Sequence, residues 1–188
     1  FQPRAIYPIE RALDLRNGDT QRRNYPRSIR GNGAILDFSR SSLRSDALVR
    51  IGAAQLEYAA ETMWSNVDDL LIRGPEDQDR IEPRHSGHRA DARAASDRTA
   101  TTVVGLSLEN AVRVNLRNIH VSHCHRGVRY RRCWGGVFEN VQATKCIVGH
   151  HVDDGCTHVT FMKPQANSCT TGYLIRPEPP AIAVGVVT

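Results

Sequence analysis

Residues 127–149 read "GVRYRRCWGGVFENVQATKCIVG" and residues 149–172 read "GHHVDDGCTHVTFMKPQANSCTTG". Both stretches open and close on glycine, carry a cysteine a few residues in, and carry another three residues before the closing glycine. Working outward, Gly105, Gly127, Gly149 and Gly172 are spaced 22, 22 and 23 residues apart. Cys124, Cys146 and Cys169 follow with steps of 22 and 23, and Cys133 and Cys156 are 23 apart, with Ala111 in the preceding slot. Further columns fall into line: Leu116, Phe138, Phe161; Ile119, Val141, Pro164; Val121, Ala143, Ala166; and Asn118 with Asn140. Agreement of several independent columns at one period is the mark of a repeat architecture.

Within each period the apolar residues alternate, as in Leu106-x-Leu108, Val112-x-Val114-x-Leu116 and Ile119-x-Val121. Alternation over short runs predicts strands with one buried face. Each period therefore reads as about three short strands separated by Gly and Asn bends, the two residues that best tolerate a left-handed corner. A unit of 22 residues without helical periodicity cannot close a core of its own. It must stack on copies of itself, each coil covering the inward side chains of the next. The expectation is an all-β solenoid over residues 1–176: less regular coils in 1–74 and regular ones in 103–176.

Other segments read less regularly. "ALVRIG" (47–52) predicts a strand, and "VDDLLIRG" (67–74) aligns with Leu116–His123, which puts Asp69 in the Asn corner column. "AAQLEYAAETMW" (53–64) has ambiguous spacing and fits a short helix or an excursion. Residues 75–102 are polar and charged with almost no apolar side chains, so they read as a loop thrown out between two coils. The tail "RPEPPAIAVGVVT" breaks the repeat at Pro177, leaving 177–188 as a cap, a linker or a strand for another chain.

The pattern "NLRNIHVSHCHRGVRY…GGVFENVQATKC" resembles the right-handed parallel β-helix of the pectate-lyase-like superfamily, most of all the coils of bacteriophage tailspike and virion spike proteins. "FENV" (138–141) is similar to the strand, Asn corner, strand step of that group. "YPIERALDLRNGDTQRRNYPRSIRGNGAILDFS" (7–39) is similar to its first coils, with "IRGNGAIL" (29–36) as the first full turn. The resemblance spans roughly residues 5–176 and is specific for fold, since the superfamily hosts lyases, hydrolases, esterases and non-enzymatic adhesins. It implies a virion or extracellular location, homotrimeric assembly with other virion proteins, and engagement of host-surface polysaccharide. It also makes the 75–102 insertion a wall for a groove. An open solenoid end exposes unpaired strand edges, which independently calls for partners.

Bulk properties narrow the alternatives. The chain has 188 residues, enough for one sizeable core. No apolar run approaches the ~20 residues of a membrane span, so membrane insertion is not expected. No signal-like segment opens the chain, and a start at Phe1 rather than Met fits a processed product or part of a longer protein. Net charge is +5, and the only lysines are Lys145 and Lys163. Acids interleave with the arginines and aromatics are few, which disfavours a nucleic-acid partner. The five cysteines form no CxxC pair, so they read as buried free thiols rather than a zinc site or a disulfide framework. No cofactor is implied.

The stretch "HHVDDG" (150–155) has the look of metal ligands or paired catalytic carboxylates. In register, one outward column runs Ser107, Arg129, His151, Leu174, and the next runs Glu109, Arg131, Asp153, Arg176. The second column alternates in sign, so Asp153 reads as a rung of an ion ladder. His150 falls inward with Leu106, Val128 and Tyr173, and alternate strand positions point to opposite faces, which disfavours a metal site. The catalytic candidates are Asp153, Glu109 and Arg131, with Arg129 and His151 beside them for a lyase-like chemistry on a uronate. An arginine between two carboxylates disfavours a protonated general acid. The strip His120, Gln142, Gln165, with Ser122, Thr144, Asn167 and Arg117, Glu139, Met162 alongside, suits hydrogen bonds along an extended sugar chain. Arg129, His151, His120, Gln142 and Gln165 are the expected ligand-binding residues.

Overall fold

The computed structural model describes residues 2–16, 28–43, 45–56, 59, 62–75 and 102–175. Its strands are β1 (Ile6–Pro8), β2 (Leu13–Asp14), β3 (Ser28–Asp37), β4 (Ser45–Gly52), β5 (Asn66–Arg73), β6 (Thr102–Val112) and β7 (Asn115–Ser122). They continue as β8 (Arg126–Trp134), β9 (Val137–Thr144), β10 (Val148–Val152), β11 (Thr160–Met162), β12 (Gln165–Asn167) and β13 (Thr171–Ile175). The fold is all-β, and no α-helix occurs among the described residues. There are two parallel sheets between which the chain alternates. Sheet A has the order β1-β3-β5-β7-β9-β11, with β12 also on β9; sheet B has the order β13-β10-β8-β6-β4-β2.

The sequence period is the register of both sheets. Leu106 pairs with Val128 across β6 and β8, and Leu116 with Phe138 across β7 and β9, each a step of 22. Phe161 pairs with Phe138, and His150 with Tyr173, at the longer step of 23. Between β5 and β7 the step widens, Val67 meeting Leu116, as the alignment of "VDDLLIRG" requires. Residues 76–101, the expected loop, lie outside the described residues, as does the tail 177–188. In "AAQLEYAAETMW" the described positions show isolated tight turns and no α-helix.

The corners follow a rule that the Gly and Asn expectation only half captures. Asn110, Arg113, Asn118 and His123 all have positive φ, between 49° and 58°. One repeat on, Arg132, Gly135, Asn140 and Lys145 do the same, and then Gly155, His158, Lys163 and Ser168. Four left-handed residues per repeat therefore turn the chain. Two of them fall inside β6 and β7, bending those strands rather than ending them. The three short strands expected per repeat merge into two longer, bent ones in the repeats of β6–β7 and β8–β9, and stand as three in β10, β11 and β12. A left-handed residue other than Gly or Asn costs of order 1 kcal/mol or more. Stacking in register holds Arg, His and Lys there against that cost.

Gly105, Gly127 and Gly149 are not corners, which corrects that reading. They sit inside the strand runs of sheet B, facing the interior, where the next coil leaves no room for a side chain. A Cβ on Gly127 would lie 2.6 Å from the Gly149 carbonyl oxygen and 2.7 Å from the Ala143 Cβ. One on Gly105 would lie 2.2 Å from a Val121 methyl. The glycine column therefore interlocks with the Val121–Ala143–Ala166 and cysteine columns. Around it the core holds Leu106, Leu108, Leu116, Ile119, Val121, Tyr130, Phe138 and Val141, each at most 1% exposed. Burying each large side chain contributes roughly 1.5–3 kcal/mol.

Candidate functional site

Sheet B carries the expected catalytic column, and its charges pair differently from expectation. Ser107 and Arg129 are register neighbours, as are Glu109 and Arg131. Yet Glu109 turns sideways: it accepts from Arg129 Nη2 at 2.9 Å, from Ser107 Oγ at 2.8 Å and from Arg16 Nη1 at 2.8 Å. Arg16 also grips Asp14 through Nε and Nη2, at 2.9 and 2.6 Å. Burial works to raise the Glu109 carboxyl. The Ser107 hydrogen bond and the charges of Arg129 and Arg16 outweigh it and hold the group below its ordinary value. Glu109 is therefore a fixed anion rather than a proton donor, for a reason other than the intervening Arg131.

The "HHVDDG" residues separate as strand alternation demands. His150 is a core side chain, 1% exposed, its ring parallel to Tyr173 with centroids 5.2 Å apart. Its Nδ1 meets the Tyr130 hydroxyl at 3.2 Å and its Nε2 the Gln165 carbonyl at 2.9 Å. Burial lowers its pKa, and the Gln165 carbonyl pulls the other way. His151 points to the opposite face but is also buried, at 1%, as is Ser107 in the same column at 0%. Asp153 is 6% exposed and takes the Asp154 amide on Oδ1 at 2.8 Å; Arg131 Nε lies 3.9 Å from its Oδ2. The Arg131–Asp153 rung thus exists, and its Arg176 continuation lies outside the described residues. Among the described residues no group of three or more His, Cys, Asp or Glu converges to hold a metal.

Sheet A presents a different surface. Its outer face carries an open groove across the first residues of β5, β7 and β9, lined by Asn66, Asp68, Asn115, Arg117, Val137 and Glu139. Arg117 Nε lies 3.4 Å from Asp68 Oδ1, and Arg117 is the register partner of both Asp68 and Glu139. Alongside runs an amide ladder at the bends: Asn118 donates to Asp69 at 2.8 Å, Asn140 to Asn118 at 2.9 Å and Gln142 to Asn140 at 3.2 Å. Asn115 donates to Asn66 at 3.0 Å and accepts from the Val137 amide at 3.1 Å. His120, Gln142 and Gln165 fall in one column as the period requires. His120 Nε2 lies 3.0 Å from Thr144 Oγ1, and burial lowers its pKa.

The structure so brings His120, Gln142 and Gln165 onto one accessible face and puts Arg129 and His151 on the other sheet. None of His120, Gln142 and Gln165 lines the groove; Asn66, Asp68 and Asn115, which do, were not singled out as ligand-binding. The alignment of "VDDLLIRG" that placed Asp69 already puts Asp68 beside Arg117. Arg16 offered no signal, since it reaches Glu109 across 93 residues of sequence. Neither a protein-family model, nor a curated protein, nor a solved structure matches the chain.

Proposed function

We propose that the chain is a right-handed parallel β-helix and serves as a structural, receptor-binding spike of the tailspike kind. In this reading it assembles as a homotrimer with other virion proteins and engages host-surface polysaccharide outside the cell. The observation that carries the reading is the outer face of sheet A. There, the polar column His120, Gln142, Gln165 recurs from β7 through β9 to β12, roughly 4.8 Å apart, beside an open groove of mixed charge. Repeated amide, hydroxyl and imidazole groups on a rigid sheet match the repeated hydroxyls of an extended glycan. His120, Gln142 and Gln165 are the binding residues, joined by Asp68, Asn115 and Arg117.

A second reading, a polysaccharide depolymerase, is favoured by one feature. Asp68 and Glu139 flank Arg117 in the groove, two coils apart. By strand spacing that is roughly 9–10 Å, near the upper end of the separation used by inverting glycosidases, but Arg117 between them disfavours a protonated general acid, as Arg131 does between Glu109 and Asp153. The two readings part on one experiment: incubate the protein with capsular polysaccharide or lipopolysaccharide and follow binding and chain length together. Retention with unchanged length, weakened by Gln142→Ala and Arg117→Ala, is the result expected of a spike. Shortening that disappears in Asp68→Asn or Glu139→Gln supports the enzyme, and neither retention nor shortening leaves a packed virion component without a ligand.

A further inference from the structure

All five cysteines are free thiols, and four of them stand in two facing pairs on neighbouring coils. Cys133 and Cys156 are register partners: the Thr157 amide donates to the Cys133 carbonyl at 2.9 Å, and Trp134 bridges Thr157. Cys146 and Cys169 are related in the same way, the Thr170 amide donating to the Cys146 carbonyl at 3.3 Å. Only Cys133 of the four lies within a strand, but these hydrogen bonds continue the strand register, and residues so stacked on neighbouring coils have Cα atoms roughly 4.8 Å apart, within the 4.4–6.8 Å that a disulfide spans. Both pairs face inward at the same boundary, between the last two described coils. We propose that Cys133–Cys156 and Cys146–Cys169 are two oxidisable dithiols, whose conversion to disulfides staples the last coil to its neighbour.

The pairs are asymmetric in a way that suits exchange with a small disulfide. Cys133 and Cys146 are buried, whereas Cys156 and Cys169 are only partly so. The hydrogen bond from Cys133 draws the Cys156 thiol down to about 7, and that from Cys146 does the same for Cys169, against the opposing effect of burial. The outer sulfur is then both the reachable one and the better nucleophile. The Cys156 thiolate attacks one sulfur of oxidised glutathione and expels one glutathione thiolate. Cys133 gives its proton to that thiolate and attacks Cys156 Sγ, expelling the second glutathione. Two protein thiols are oxidised to one disulfide, and one glutathione disulfide is reduced to two thiols. Cys169 and Cys146 follow the same steps. Cys124 also faces Cys146 one coil away, but both are 0% exposed, so no reagent starts the reaction there.

The test treats the native full chain with oxidised glutathione, then denatures it in acid, blocks free thiols and maps the peptides by mass. The expected result is a fall from five free thiols to one, Cys124, with Cys133 joined to Cys156 and Cys146 to Cys169 in monomeric chains. In Cys156→Ser the first link is lost and the second still forms; in Cys169→Ser the converse holds. Five surviving thiols, glutathione adducts that never resolve, links to Cys124 or links between chains would overturn the proposal. A single link without the other overturns it for the missing pair. Because the first measurement is made on the unaltered protein, a variant that fails to fold does not decide the outcome.

Discussion

The coil closed by Cys146 and the coil closed by Cys169 place the same residue types in the same slots, and they are buried very differently. Phe138, Ala143 and Cys146 are each 0% exposed, while their counterparts Phe161, Ala166 and Cys169 are only partly buried. Val128 is 0% exposed and His150 1%, but Tyr173, next in that column, is 50% exposed, and Ile175 is 78% exposed. The difference shows that an inward position becomes core only when a coil lies on each side of it. Stability is then close to a sum of coil-to-coil interfaces, and one substitution at equivalent slots should weigh according to its neighbours.

The glycine column breaks this comparison most sharply. Gly127→Ala would push a methyl into the Gly149 carbonyl and the Ala143 Cβ, while at Gly172 the nearest atom is the Ala166 Cβ at 3.5 Å. We expect Gly127→Ala to cost about 3 kcal/mol, the upper end for overpacking a tight core. Gly172→Ala should change stability by no more than about 0.5 kcal/mol. Urea-unfolding midpoints of the two variants measure both. Equal costs would mean that the last coil is packed as tightly as the others.

These glycines also mark how far the sequence could be read. Their period is plain in the sequence and it sets the register, so the strand pairing and most of the core were legible. Their role was not, because glycine answers two different demands, a left-handed bend or the close approach of another backbone, and the letter is the same for both. The bends at Asn118 and Asn140 were legible because asparagine favours that conformation. Those at Arg113, His123, Arg132 and Lys145 were not, because only stacking makes those residues adopt it. At the site, the column His120, Gln142, Gln165 followed from the period. The Arg16–Glu109–Arg129 cluster did not, because it joins the irregular first coils to the regular ones, where no period carries over.

Acidification offers a second, smaller probe, with two groups that respond in different windows. His150 lies at the seam with the last coil, and its pKa is lowered from 6.5, first by burial. Its neutral form is the one that fits, so its contribution is complete above 6.5 and declines as pH falls below that value towards the folded pKa. Glu109 belongs to the inner coils, and its pKa is lowered from 4.5: burial opposes this, and Ser107, Arg129 and Arg16 prevail. Its contribution is complete above 4.5 and is lost only as pH falls below it. Stability measured against pH should therefore fall in two stages. Glu109→Gln should shrink the lower stage, to which Asp14 and Asp37 also contribute, and His150→Asn the upper one, which His120 shares. An unchanged upper stage in His150→Asn would assign that stage to His120, whose pKa burial lowers in the same window.

The smallest effect sharpens the comparison at the corners. Asn140 and Lys163 occupy the same left-handed slot, with φ of 50° and 52°. Asn140 suits that backbone and extends the amide ladder through Asn118, whereas Lys163 has to be held there. Asn140→Ala should cost about 1 kcal/mol, for the lost hydrogen bonds and the poorer left-handed residue. Lys163→Asn should stabilise by a few tenths to about 1 kcal/mol, because asparagine relieves the backbone cost that lysine bears. Met162→Ala leaves both the backbone and the ladder alone and serves as a control on the same face. If Lys163→Asn brings no gain, the last coil is loose enough to relax its corner, and the ladder ends at Asn140 because the coil beyond it is too mobile to reward the next rung.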